Sequence, residues 1–138
     1  MKIHTVIGAV FAAVAIAITA PVVAHDAGDK VMPNFQQAIT NIPGKSLVAV
    51  VVDYPPGGAS APHTHAKSSF IYAYVISGSV ESKVNDAPTR VYKAGESWSE
   101  PPGSRHTISR NVSTTEPAKL LAVAVVDTDD KELTTPIK

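Results

Sequence analysis

The sequence predicts an all-β chain folded as a single antiparallel barrel or sandwich. Three observations carry this. About eight short runs rich in β-branched and aromatic residues follow one another at spacings of roughly 8–12 residues. Glycine or proline stands at most corners between them. After residue 24 no stretch keeps a helical apolar period of useful length.

Met1 to Ala24 reads as a secretory leader: Lys2 is followed by the apolar run Val6 to Ile18, a break at Pro21, and the small-residue ending Val22-Val23-Ala24. The expectation is an exported protein, periplasmic or secreted, with residues 1–24 removed and no membrane contact afterwards. A retained anchor would need about 20 apolar residues, and Pro21 interrupts this run.

The remaining 114 residues (138 less 24) divide into an N-terminal extension, 25–45, a barrel, 46–126, and a C-terminal tail, 127–138. In the extension, Met32 to Ile42 carries Phe35 and Ile39 and stops at Pro43-Gly44; strand and short helix are both open there. Leu47 to Tyr54 is a buried strand ended by Pro55-Pro56-Gly57-Gly58. Phe70 to Ile76 is a second strand, turned by Ser77-Gly78-Ser79. Val80 to Val84 alternates apolar and polar residues and connects through Asn85-Asp86-Ala87-Pro88 to Arg90 to Tyr92. Ser97 to Glu100 is short and holds the sole tryptophan, Trp98. His106 to Asn111 is extended, and Ala118 to Val126 is the second long apolar strand. The polar end from Asp127 reads as loose.

Composition narrows the function classes. Without Lys2 the chain has 11 basic (12 less 1) and 12 acidic residues, so nothing suggests a nucleic-acid groove, which needs clustered Lys and Arg. There is no cysteine, which excludes disulfides, thiolate metal sites and a cysteine nucleophile.

Histidine placement is the functional signal. His63-Thr64-His65 puts two imidazoles on one face of an extended segment. His106 follows Pro101-Pro102-Gly103 about forty residues later. Three neutral imidazoles converging from two strands suit a divalent transition metal and leave coordination positions open. Phe70, Tyr72, Tyr74 and Trp98 are candidate pocket residues, though such residues are more often core.

These residues resemble the cupin superfamily, small jelly-roll-type β-barrels. Its first motif runs Gly, five residues, His-x-His, three or four residues, Glu, six residues, Gly. Gly57, His63, His65 and Gly78 match. Its second runs Gly, five residues, Pro-x-Gly, two residues, His, three residues, Asn. Gly95, Pro101, Gly103 and His106 match, with Asn111 one place late. The resemblance covers Leu47 to Val126 and implies a metal held by His63, His65 and His106. The motif's glutamate is missing: its counted positions hold Ser69, Phe70 or Ile71, and no carboxylate lies between His65 and Gly78. The fourth position falls to water, substrate, or a non-standard group such as Glu81 or Glu100. Substituting Glu at Ile71 is expected to raise metal affinity.

The expected function is binding of a divalent transition metal (Fe, Mn, Ni, Cu or Zn) and a small-molecule ligand, as an oxygenase or isomerase. The alternative is a non-catalytic ligand- or metal-binding module with a degenerate site. A scaffold that only forms homodimers is a third reading.

Overall fold

A computed structural model describes residues 28–138. Ten strands follow in order: β1 (Lys30–Ala38), β2 (Lys45–Tyr54), β3 (His63–His65), β4 (Phe70–Ser77), β5 (Ser79–Val84), β6 (Arg90–Lys93), β7 (Ser97–Glu100), β8 (Arg105–Asn111), β9 (Ala118–Asp127) and β10 (Thr134–Pro136). They form two five-stranded sheets, ordered β1-β2-β9-β4-β7 and β10-β3-β8-β5-β6. Every pairing is antiparallel. The described residues are all-β, as the sequence predicts, with no helix. The leader expected in residues 1–24 lies outside the described residues.

The two long apolar runs become β2 and β9, paired over their full lengths from Lys45↔Asp127 to Tyr54↔Ala118. β4 pairs on the other side of β9. Alternation decides what faces inward: Ile71, Ala73 and Val75 are buried, whereas Phe70 and Tyr72 are exposed. The core joins Val52, Tyr54, Ala73, Val75, Val80, Trp98, Ala118 and Leu120. Val75 and Val80 are fully buried, each contributing about 1.5–3 kcal/mol by burial. Gly78 ends β4 at φ 72°, and a Cβ there would sit 2.6 Å from the Pro117 carbonyl oxygen. Only glycine fits that turn.

Two segments differ from the sequence expectation. The undecided run in the extension forms strand β1, which pairs with β2 from Lys30↔Asp53 to Ala38↔Ser46. Its register shifts between Pro33 and Phe35. A proline without an N–H is tolerated at such a bulge on an edge strand. The extension is therefore part of the barrel sheet. In the tail read as loose, Thr134–Pro136 forms β10 and pairs with His63–His65. That pairing uses backbone groups, which polar composition does not reveal. Asn111, one place late against the motif, is buried and donates to the Pro55 and Glu116 carbonyls, tying two loops together.

Candidate metal centre

β3 and β8 lie side by side with His63 paired to His106. His63 and His65 share a face, two residues apart on β3. β10 closes the outer edge of β3 and fixes its plane. His106 reaches the same space through a bulge. Between β5 and β8 the register passes from Lys83↔Ile108 to Val84↔His106, so Thr107 is the extra residue. Residues three apart on a regular strand face opposite ways, and the bulge re-aims one of them. His106 and Ser109 consequently line one cavity.

One ligand atom from each of His63, His65 and His106 lies within 4.8 Å of the others. The rings pack at centroid distances of 4.7, 5.3 and 6.0 Å. Ala61 and Ser82 hold two of the rings, and Glu100 faces two of them. His63 Nδ1 lies 2.8 Å from the Ala61 carbonyl oxygen. A carbonyl only accepts, so Nδ1 carries the proton and Nε2 keeps its lone pair. His106 Nε2 lies 2.9 Å from the Ser82 hydroxyl, and its Nδ1 faces Glu100 Oε1 at 3.4 Å. His65 Nε2 stands 2.8 Å from Glu100 Oε2.

Glu100 is 2 % exposed, and Trp98 Nε1 donates to its Oε1 at 3.0 Å. His65 Nε2 and Glu100 Oε2 are both buried, face each other at 2.8 Å, and make no hydrogen bond to any other group. Two buried polar atoms facing each other at that distance are satisfied by a shared cation, a proton or a metal ion, since buried polar groups otherwise find partners. The residues present fit a divalent metal.

Burial works against ionisation at both groups. It is the largest influence on Glu100 and raises its pKa. Contact with His65, the charges of His106 and His65, and the Trp98 N–H outweigh it, so the net shift is downward from 4.5. Burial pushes the His106 pKa down from 6.5 to about 4; the Glu100 charge opposes this and the charges of His63 and His65 add to it.

The histidines open into a cavity of about 410 Å³, of ligand-pocket size. Val50, Val52, Ile71, Leu120 and Ala122 supply apolar wall. Tyr54, Ser60, Ser109 and Asp29 line it as well and form a chain: Tyr54 OH lies 2.7 Å from Ser109 Oγ and 3.0 Å from Ser60 Oγ, and Ser60 donates to Asp29 at 2.5 Å. Burial raises the Tyr54 pKa above 10.0, so the phenol stays protonated.

The three histidines expected from the sequence are brought together. Of the aromatic candidates, none lines this cavity; Trp98 stacks on Tyr92 at 4.4 Å, and Phe70 and Tyr72 point outward. Glu81 pairs with Arg110. Sequence reasoning did not find Tyr54, Ser60, Ser82, Ser109 or Asp29. The sequence offers Glu100, with Glu81, for the fourth position; Glu100 alternates with Trp98 and shares the buried face of its strand.

Residues 50–124 match the family described as Cupin domain. Among curated proteins, germin-like protein subfamily 2 member 2 of Arabidopsis thaliana is 32% identical over 80 residues, covering 53% of this chain and 36% of that protein. The chain thus spans about a third of that relative's length. An uncharacterized conserved protein with a double-stranded β-helix domain from Klebsiella pneumoniae superposes with a TM-score of 0.64 at 20% identity, over 83% of this chain and 88% of the other. A recombinant oxalate oxidase in complex with glycolate gives a TM-score of 0.56 at 24% identity, over 73% of this chain and 52% of the other. Both structures share the fold.

Proposed function

The chain belongs to the Cupin domain family, and from that premise we propose that it binds a divalent transition metal through His63, His65 and His106 and presents it to a small molecule in the adjoining cavity. The observation that carries this reading is the convergence of the three rings, with His65 Nε2 buried and without a hydrogen bond. Iron, manganese, nickel, copper or zinc bound there would supply Lewis-acid charge to an oxygen of the small molecule.

The chain's own residues do the rest. The Ala61 carbonyl holds His63 in the tautomer that leaves Nε2 free, and Ser82 orients His106. The aliphatic wall excludes water, which strengthens electrostatic interactions inside. Ser60 gives its proton to Asp29, and Tyr54 keeps its own between Ser60 and Ser109, so the chain of hydroxyls presents lone pairs to a polar group of the ligand. A ligand with a compact apolar body and polar oxygens matches this lining. We favour an enzyme, an oxygenase or isomerase, over a non-catalytic binding module. The supporting observation is that the histidines and the Tyr54–Ser60–Asp29 chain line one cavity.

Metal analysis of the purified protein after reconstitution tests this. The expected result is one divalent metal per chain, with affinity falling more than about 100-fold in His106→Ala, beyond the loss typical of an outer-sphere partner. Equal binding by wild type and His106→Ala would end the three-histidine centre, and no metal in wild type would leave a metal-free ligand-binding module as the better reading.

A further inference from the structure

We infer that Glu100 is a metal ligand, the carboxylate of this site, supplied by β7 instead of the motif position on β4. The inference rests on the metal-binding reading above and deepens it.

Position comes first. The motif glutamate, counted back six residues from Gly78, falls on Ile71. Ile71 and Glu100 are direct register partners on neighbouring antiparallel strands. Partners of this kind share a face with Cβ atoms about 4.5–5.5 Å apart. Both side chains are buried and line the histidine cavity. A carboxylate on β7 thus enters the same space as one on β4 would.

Distance comes second. Glu100 oxygens stand 2.8 Å from His65 Nε2 and 3.4 Å from His106 Nδ1. Ligand atoms that share a metal at bonds of about 2.0–2.1 Å are roughly 2.8–3.4 Å apart for octahedral to tetrahedral angles. From His65 and His106 the carboxylate lies at about the separation that co-ligands have; the ligand atoms that all lie within 4.8 Å of one another are those of the three histidines.

Satisfaction comes third. A carboxylate that is 2 % exposed needs a cation or donors. Among the described residues, Glu100 has no Lys or Arg within ion-pair distance; its only such neighbours are His65 and His106. The Trp98 N–H occupies Oε1 and leaves Oε2 without a hydrogen bond, facing the equally unpartnered Nε2 of His65. With Glu100 as ligand, the three-histidine metal centre carries one positive charge fewer.

Titration with Mn(II) under a free-Mn(II) EPR readout, together with urea unfolding of the metal-free proteins, decides it. The proteins are wild type, His106→Ala, Glu100→Gln, and the transposed pair Ile71→Glu with Glu100→Ile. Gln keeps the shape and the acceptor for Trp98 but loses the charge. A ligand role predicts Mn(II) affinity at least roughly 10–100-fold weaker in Glu100→Gln. Urea unfolding of the metal-free variant checks that it folds, so that the lost affinity is read on an intact site. The transposed pair should recover much of the affinity. If Glu100→Gln binds like wild type while His106→Ala does not, the three histidines hold the metal and Glu100 is only their structural partner. If wild type binds no Mn(II), and calorimetric titration with Zn(II) and Cu(II) finds no binding either, the metal reading fails and Glu100 with it.

Discussion

Ile71 and Glu100 stand directly opposite each other across β4 and β7, both buried against the histidine cavity. The expectation that Glu at Ile71 raises metal affinity assumed vacant carboxylate space. The structure fills that space from the neighbouring strand. Ile71→Glu alone therefore places two carboxylates on one buried face, where like charges opposite each other are unfavourable. The variant should lose about 1–3 kcal/mol of stability at pH 7 in urea unfolding. It should gain no metal affinity unless Glu100 is also replaced. A stable variant with tighter binding would show that the cavity takes two carboxylates.

The metal-free protein should weaken in mild acid. His106 keeps its folded pKa at about 4, below its ordinary 6.5. Between those values the unfolded chain binds the proton and the folded chain does not, so stability rises with pH across the window. Glu100, shifted downward, acts in the same sense: its contribution is present above the ordinary carboxylate pKa and is lost as pH falls through the depressed value. From pH 7 to pH 5 the His106 share is about 2 kcal/mol. Urea unfolding of chelator-treated protein at the two pH values measures it, and His106→Asn should flatten the dependence. Equal stability at both values would mean that His106 is not buried in its neutral form.

Ser82 and His106 are both buried, with the Ser82 hydroxyl 2.9 Å from Nε2. Ser82→Ala removes the group that fixes this ring. Metal affinity should fall roughly 10–100-fold, and unfolding stability by about 1–3 kcal/mol, because a buried ring nitrogen loses its partner. Calorimetric metal titration and urea unfolding read the two effects separately. Unaltered affinity with reduced stability would confine Ser82 to packing.

Sequence by itself determined the strand runs, their corners and the shared face of His63 and His65. These are local matters: alternation decides a face, and a glycine or proline decides a turn, within a few residues. Gly78 illustrates it, since a left-handed turn admits little else. Tertiary structure decided the rest. That Glu100 lies opposite Ile71 depends on the β4–β7 register, between residues 29 positions apart (100 less 71). The bulge at Thr107, which turns His106 and Ser109 to one cavity, arises from pairing with β5 and leaves no mark in composition. The polar segment at Thr134 becomes a strand because β3 offers it unpaired backbone groups. Side-chain periodicity reports which face a residue occupies. Which residue lies across from it is set by backbone pairing between distant segments, and that appears only when the barrel closes.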